Sequence, residues 1–215
     1  MKPAMALFAR APVAGAVKTR LIGRFSAPEV ADLYRAFVRD MWAMLTALPG
    51  DSEVFLYTDR PHQGWEALAG SRLREQRGRD LGERMLHCFE DLDAGGFAPL
   101  LILGSDSPAL PAAFLAGWTE KLADAPALLG PCDDGGYWAI GCRRPHAKMF
   151  EGVEWSSPRT LAQTEAALNR CGLAPAWLPL HYDVDTNEDL ERLAAEPELP
   201  PHTLEWLKNS RNRRA

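Results

Sequence analysis

The chain has 215 residues, of which 47% are hydrophobic and 25% charged, which is typical of one globular domain over residues 1–215. Its formal net charge of −5 argues against nucleic acid or an anionic membrane surface as a partner. No apolar run approaches the roughly 18 residues of a membrane span, and the N-terminus does not resemble a signal peptide. The four cysteines form neither a CxxC pair nor a Cys/His cluster, so we expect a cytoplasmic protein without a zinc site or disulfide framework.

Strands and helices are predicted to alternate along the chain. Short apolar runs bounded by turn residues predict strands over 5–9, 54–58, 100–103, 127–130, 137–141 and 176–180, the last an edge strand because of its proline. Helical spacing and start signals predict helices over 26–48, 64–71, 81–92, 111–122, 159–171, 187–195 and 202–207. Asp80 and Ser157 are the expected N-caps of two of these helices, and Asp80 is also spaced for an ion pair with Arg84. The alternation favours an α/β fold around a mostly parallel sheet.

A basic loop follows the first predicted strand. It contains Arg10, Lys18 and Arg20 together with proline and glycine, and its side chains and backbone N–H groups could bind phosphate oxygens. The G-x-x-x-x-G-K-[ST] spacing of a Walker A loop is absent. On these residues alone, an exposed basic turn is an equally good interpretation.

The strand over 100–103 leads directly to Asp106, which lies between two serines and precedes a proline. A parallel strand brings such a residue to the sheet edge where ligands bind in α/β proteins. A carboxylate there suits Mg²⁺ shared with substrate phosphates. Capping of a turn or helix explains Asp106 equally well from this segment alone.

Further acidic residues lie in two later loops. Asp133 and Asp134 precede two glycines, which let the backbone approach a ligand. Tyr137 and Trp138 follow and could offer a ring face to a base or sugar, although one of two successive strand residues is expected to be in the core. Asp183 and Asp185 are two positions apart, so on an extended segment they share one face. Helix capping by Thr186 or Asp185 is the alternative for that segment. Since the basic loop and these acids all follow predicted strands, they together indicate a site for a phosphorylated ligand and a divalent metal.

Six ordered motifs resemble a known family over about residues 5–190. They are FARAP with VKTRL at 8–21, DLGERM at 80–85, GSDSP at 104–108, DGGY at 134–137, WS at 155–156 and DVDT at 183–186. In this order they resemble the bacterial DUF2064 family, known as transferase 1 associated with radical-SAM and selenodomain proteins. That family is grouped with GT-A-type nucleotide-diphospho-sugar transferases and is similar to molybdenum-cofactor and phospholactate guanylyltransferases. One departure is Asn187, where the family more often has proline.

The resemblance implies a three-layer Rossmann-like GT-A fold with a mostly parallel central sheet. It implies roles for three groups of residues: nucleotide contacts at Arg10, Gly15, Lys18, Arg20, Asp80 and Arg84; a Mg²⁺ or Mn²⁺ site at Asp106 with Asp183 or Asp185, less readily Asp134; and an acceptor side at Asp134, Gly135, Gly136, Tyr137 and Trp155. Asp106, Lys18 and Arg20 would be the catalytic residues.

The function expected from this resemblance is metal-dependent transfer from a nucleotide-activated donor to a small-molecule acceptor. Glycosyl transfer from an NDP-sugar is the first hypothesis. Nucleotidyl transfer from an NTP, with release of pyrophosphate, is the second. A nucleotide-binding protein without catalytic activity is a third.

Overall fold

The structure is a computed structural model and describes residues 1–212. The sequence predicts a solvated end for the segment 208–214, which contains four Lys and Arg residues, and the last two residues of this segment lie outside the described range. Its centre is a seven-stranded sheet in the order β3-β2-β1-β4-β6-β5-β7. The strands are β1 Lys2–Ala9, β2 Glu53–Thr58, β3 Leu73–Glu75, β4 Phe97–Gly104, β5 Ala127–Pro131, β6 Tyr137–Cys142 and β7 Pro175–Trp177. Only β6 runs antiparallel to its neighbours, β4 and β5. The mostly parallel sheet and the edge position of β7 are confirmed.

Seven α-helices accompany the sheet within the described range. They are α1 Ala27–Thr46, α2 Gln63–Ala69, α3 Leu81–Ala94, α4 Trp118–Asp124, α5 Thr160–Arg170, α6 Asn187–Ala194 and α7 Pro201–Asn212. None of the helices in residues 1–212 is long and apolar enough to cross a membrane. Single 3₁₀ turns lie over 19–21, 70–72 and 112–115.

Alternation along the strands builds two cores, one on each face of the sheet. In β1, Met5 and Leu7 point to the core shared with α1, α2, α4, α6 and α7. Ala6 and Phe8 point to the opposite core, which α3 and α5 complete. Since successive side chains of a strand face opposite sides, an unbroken apolar run is buried on both. The three-layer α/β architecture is therefore confirmed.

Helix caps match the sequence in three cases. Ser26 and Glu29 form a capping box at α1, and Asp80 accepts a hydrogen bond from the Glu83 N–H at the start of α3. At α6 the cap is Thr186, in a box with Asp189. The side chain of Asp185 is therefore not the cap.

Three local predictions are wrong. The expected helix over 111–122 is broken, because Pro111 is extended and Gly117 adopts φ +68°, which leaves a 3₁₀ turn before α4. Ser157 does not cap α5, which starts at Thr160 without a side-chain cap. The expected ion pair between Asp80 and Arg84 is also absent from the described residues. Glu83 of α3 pairs with Arg79 instead. Arg84 donates through Nε to the Gly78 carbonyl.

Candidate active site

A cleft of about 820 Å³ opens where β1 and β4 end, beside the start of β6. Parallel strands deliver the residues that follow them to this edge of the sheet. Most predicted site residues line the cleft: Arg10, Lys18, Arg20, Arg84, Asp106, Asp134, Gly136, Tyr137, Trp155, Asp183 and Asp185. Gly15, Asp80 and Gly135 do not line it. A second cavity, of about 620 Å³ and lined mainly by α6 and α7, contains none of the predicted residues.

Lys18 lies at the centre of the charged end of the cleft. Its Nζ is 2.5 Å from Oδ1 of Asp106 and 2.7 Å from Oδ1 of Asp185, and its side chain is only 5% exposed. Burial alone would lower the pKa of this ammonium, but the two carboxylates raise it above its ordinary value. Lys18 is therefore a fixed cation that joins the loop after β1 to the acids after β4 and before α6.

The local backbone aims Lys18 inward. Lys18 adopts a left-handed conformation, φ +45° and ψ +42°, and the preceding Val17 and the nearby Leu21 are buried. A non-glycine residue in this region costs roughly 1–3 kcal/mol and persists where the surroundings enforce it. Here the enforcement comes from two apolar anchors and two ion-pair partners.

Asp183 is a partly buried carboxyl group of the cleft, and its pKa is raised. Burial and then the Asp106 carboxylate raise the pKa of Asp183 to about 6, although Ser107 donates a hydrogen bond of 2.6 Å to its Oδ1. The two segments are also joined by a hydrogen bond from the Val184 N–H to the Asp106 carbonyl. The Asp106 and Asp183 carboxylates thus repel each other, and Lys18 and Ser107 offset this repulsion only in part.

A divalent cation fits this end of the cleft in charge and donor type. Within residues 1–212, no three His, Cys, Asp or Glu side chains form a ready-made metal-binding group. Nevertheless, Mg²⁺ commonly binds through one or two carboxylates and completes its shell with water and substrate phosphates. Asp106 and Asp183 are paired oxygen donors whose mutual repulsion a cation would offset.

The backbone at the exit of β1 is already hydrogen-bonded within the protein. The Arg10 N–H donates to the Tyr34 hydroxyl at 2.8 Å, and the Ala11 N–H donates to Asp59 Oδ1 at 2.6 Å. Gln76 donates through Nε2 to the carbonyl of Ala9, which ends β1, and to that of Tyr57 in β2. The backbone N–H groups at positions 10 and 11 are therefore not free to bind phosphate oxygens.

Tyr34, Ser105 and Gln76 line the cleft and were not predicted as site residues. The Tyr34 hydroxyl also shares a hydrogen bond of 2.8 Å with Ser105 Oγ, so it joins the exits of β1 and β4. Tyr34 belongs to the apolar stripe of α1, which made it look like core. Gln76 follows β3, a three-residue strand without a periodic signal.

Three arginines add positive charge to the cleft. Arg20 is exposed and makes no hydrogen bond or ion pair within the described residues. Arg84 uses Nε on the Gly78 carbonyl, and Arg10 approaches Asp59 only to 4.0 Å. We call these three residues and Lys18 the basic cluster.

Aromatic residues line another part of the cleft. The Tyr137 ring is partly buried and its hydroxyl contacts Met85 Sδ at 3.9 Å, whereas Trp138 is core and donates through Nε1 to the Pro179 carbonyl. Trp155 packs edge-on against Phe150, with 5.9 Å between ring centroids. We call Tyr137, Trp155 and Ser156 the aromatic cluster.

The loop between β5 and β6 fixes the position of Asp134. Asp134 Oδ1 accepts from the Gly136 N–H at 2.8 Å, and the Gly135 carbonyl accepts from the Leu161 N–H at the start of α5. Asp133 instead turns away to an ion pair with Arg192 at 2.7 Å. Of the two adjacent acids, only Asp134 lines the cleft.

A family model described as "Uncharacterized protein conserved in bacteria (DUF2064)" matches residues 41–157. The chain belongs to the DUF2064 family. No curated protein sequence matches it.

Solved structures share the fold of this DUF2064 protein. A "putative nucleotide-diphospho-sugar transferase" from Desulfovibrio desulfuricans G20 has a TM-score of 0.87 and 27% identity, with 99% of this chain and 96% of that chain covered. CMP:2-keto-3-deoxy-manno-octonic acid synthetase complexed with CTP has a TM-score of 0.62 and 14% identity, covering 91% and 98%. 4-Diphosphocytidyl-2C-methyl-D-erythritol synthase from Anaerococcus prevotii DSM 20548 has a TM-score of 0.57 and 12% identity, covering 89% and 94%. The GT-A-type Rossmann-like fold is confirmed.

Proposed function

We propose that this DUF2064 protein is a transferase that uses a nucleotide-activated donor, and that the transferred group is a glycosyl group from an NDP-sugar. The observation that carries the proposal is the buried Lys18 ammonium held between Asp106 and Asp185 beside Arg20. The D. desulfuricans structure, 27% identical, bears the name of such a transferase.

The basic cluster supports donor binding. Arg20 has no protein partner within residues 1–212, so its guanidinium is available for bidentate contact with phosphate oxygens. Lys18 is held in place before the reaction, and such a fixed charge stabilises negative charge on a leaving phosphate without reorganisation. When the donor's bond to phosphate breaks, Lys18 and Arg20 would share the charge of the released diphosphate.

Asp106 and Asp183 are the residues that would hold Mg²⁺ or Mn²⁺, with Asp185 beside them. When bound, the ion supplies positive charge at the donor's phosphate oxygens. Ser107 orients Asp183 through its hydrogen bond, and Lys18 orients Asp106 and Asp185. The metal requirement is part of the proposal.

A second candidate is nucleotidyl transfer from an NTP with release of pyrophosphate. It is compatible with the fold, which is shared with the synthetase complexed with CTP and with the synthase named above. Their identity to this chain is 14% and 12%, so they argue for the fold and not for the reaction. The basic cluster suits both reactions.

The experiment is an analysis of released product. The purified protein is incubated with Mn²⁺, either NDP-sugars or NTPs, and a panel of hydroxyl-bearing small molecules as acceptors, with water as the acceptor in the control without them, and the released nucleotide and pyrophosphate are separated by anion-exchange chromatography. Release of NDP from one NDP-sugar supports glycosyl transfer, whereas pyrophosphate from an NTP supports the second candidate. Asp106→Asn should abolish either release, and Asp124→Asn, an exposed residue at the end of α4, is the matched control.

Binding without release would mean a nucleotide-binding protein. In that case Asp106→Asn would weaken nucleotide binding, and no product would form with the unmodified protein at any donor concentration. That result would contradict the proposed transferase function.

A further inference from the structure

Tyr34 and Ser105 are two buried residues that reach the cleft from different elements. Tyr34 belongs to α1 and is 3% exposed, and Ser105 follows β4 and is 2% exposed. Both residues line the cleft, and their hydroxyl oxygens are 2.8 Å apart. Because a buried hydroxyl group is normally satisfied as a donor as well as an acceptor, the proton of each hydroxyl needs a partner.

The direction of the hydrogen bond between Tyr34 and Ser105 follows from a third group, the Arg10 N–H. A backbone N–H can only donate, so the Tyr34 oxygen accepts from it at 2.8 Å. If Ser105 also donated to Tyr34, the phenol proton would have no acceptor among the described residues. The arrangement that satisfies Tyr34 is therefore donation from its hydroxyl to Ser105 Oγ.

The surroundings of Tyr34 keep its proton in place. Burial and then the Asp106 carboxylate raise the pKa of Tyr34 above its ordinary value. The phenol is therefore protonated at neutral pH, and its proton remains directed to Ser105.

The Ser105 hydroxyl proton, in contrast, has no acceptor in the protein. Ser105 Oγ accepts from Tyr34 and makes no other hydrogen bond within residues 1–212. The nearby Ser107 uses its own proton on Asp183 Oδ1 at 2.6 Å. An unused proton on so buried a hydroxyl costs free energy unless an acceptor enters from the cleft. Ser105 is thus an unpaired donor in the wall of the cleft, one residue before Asp106.

Building on the proposed function, we propose that Ser105 donates a hydrogen bond to an oxygen atom of the donor nucleotide, and that Tyr34 is the positioning residue that turns the Ser105 proton toward it. The accepting oxygen belongs to the diphosphate or to the ribose, since both present lone pairs to a hydroxyl donor. Tyr34 occupies one lone pair of Ser105 and thereby leaves the Ser105 proton for the cleft. The same phenol holds the Arg10 N–H, so it links the loop of the basic cluster to the segment that carries Asp106.

The test is isothermal titration calorimetry in the presence of Mn²⁺. The probes are inorganic pyrophosphate, UDP, CDP, ADP and GDP, followed by the 2′-deoxy and 3′-deoxy forms of the nucleotide that binds most tightly. Ser105→Ala should weaken binding of that nucleotide by about three- to tenfold, the effect of one neutral hydrogen bond. If binding of pyrophosphate falls by the same factor, the acceptor is a phosphate oxygen. If pyrophosphate binds unchanged and Ser105→Ala no longer weakens binding of one deoxy form, the acceptor is the ribose hydroxyl that this form lacks.

Tyr34→Phe tests the positioning role. It should weaken nucleotide binding by about the same factor as Ser105→Ala, and the double variant should bind no more weakly than either single variant, because both hydroxyls act on one hydrogen bond. Tyr34→Phe also leaves the Arg10 N–H without an acceptor, so all affinities are measured well below the melting temperature of each variant. Tyr57→Phe is the matched control, because it removes another buried phenol, whose hydroxyl contacts Asp91 at 3.4 Å away from the cleft. It should leave binding unchanged.

Three results overturn the proposal. The first is unchanged affinity for every probe in Ser105→Ala. The second is a loss in Tyr34→Phe that adds fully to the loss in Ser105→Ala, since independent structural damage adds and a shared hydrogen bond does not. The third is a loss in Ser105→Ala that spares pyrophosphate but is equal for the parent nucleotide and both deoxy forms, which would place the acceptor on the base.

The same titrations separate this inference from the proposed function. If nucleotides bind the unmodified protein while one of these three results is obtained, the role of Ser105 and Tyr34 has failed and donor binding stands. If neither a nucleotide nor pyrophosphate binds the unmodified protein, the proposed function itself has failed.

Discussion

The indole of Trp155 lies against Gly82 in the first turn of α3. It occupies the space that a side chain at position 82 would need. A Cβ placed on Gly82 would be 2.6 Å from Cζ2 of Trp155 and 3.2 Å from Cβ of Phe150. Gly82 is buried, so relief of this contact would require the half-buried Trp155 ring to move. This glycine holds Trp155 against α3 at the edge of the cleft.

Gly82→Ala tests that contact. An alanine for glycine exchange inside a helix normally stabilises by about 1 kcal/mol, but forcing a methyl group into a packed site costs about 1–3 kcal/mol. We expect the clash to dominate and the free energy of unfolding to fall by about 1 kcal/mol in urea titrations. A rise in stability would show that Trp155 is not fixed by this contact.

Gly135→Ala should destabilise the protein strongly. Gly135 has φ +87°, and its Cβ would lie 2.2 Å from the Pro158 carbonyl oxygen, which is backbone and cannot rotate away. Gly172→Ala is the matched control, because Gly172 has φ +72° with nothing within 4 Å. The control should lose about 1–2 kcal/mol from the left-handed backbone alone, and Gly135→Ala should lose clearly more. Equal losses of stability in the two variants would contradict the close contact between Gly135 and the Pro158 carbonyl oxygen.

Lys18→Met removes the cation between two carboxylates. Loss of one partner of a buried pair can cost 3–5 kcal/mol, but Asp106 and Asp185 are 40% and 46% exposed, so we expect a loss of only about 1–2 kcal/mol. Stabilisation by nucleotides should vanish completely. Lys121→Met, at an exposed position of α4, is the control and should change neither quantity. Unaltered nucleotide binding in Lys18→Met would refute the role given to Lys18.

Asp183→Asn should change how stability depends on pH. The pKa of Asp183 is about 6 in the folded protein against an ordinary value of 3.8, so the folded state binds this proton more tightly than the unfolded state. The stability that this group contributes is present below pH 4 and is lost as the pH rises through about 6. Asparagine does not titrate, so the variant should gain about 2 kcal/mol relative to the unmodified protein between pH 4 and 7.5. Urea titrations at pH 4 and pH 7.5 measure the free energy of unfolding of both proteins. If the difference between the two proteins is the same at both pH values, the prediction is wrong, because loss of the hydrogen bond from Ser107 affects stability equally at both.

Much of the site could be predicted because it follows from local rules. Apolar runs locate β1 and β4, and parallel strands bring the residues after them to one edge, so Lys18 and Asp106 were expected together. The ion-pair partners of Lys18 could not be predicted, because Asp106 and Asp185 are far from it in the sequence and approach it only in the folded chain.

The features that were missed depend on contacts between distant segments. Tyr34 has the spacing of a core residue, yet its hydroxyl joins two loops of the cleft. The break before α4 depends on a left-handed Gly117, which an apolar stripe does not signal. The contact between Gly82 and Trp155 joins α3 to a loop far along the chain.

The central claim is that Lys18, Arg20 and Asp106 form the binding site of a nucleotide-activated donor. Thermal shift against NTPs and NDP-sugars, with and without Mn²⁺, tests it most directly, because a ligand that binds the folded state raises its melting temperature. We predict stabilisation by one NDP-sugar that depends on Mn²⁺ and is lost in Asp106→Asn. No shift with any nucleotide, with or without Mn²⁺, would contradict the claim.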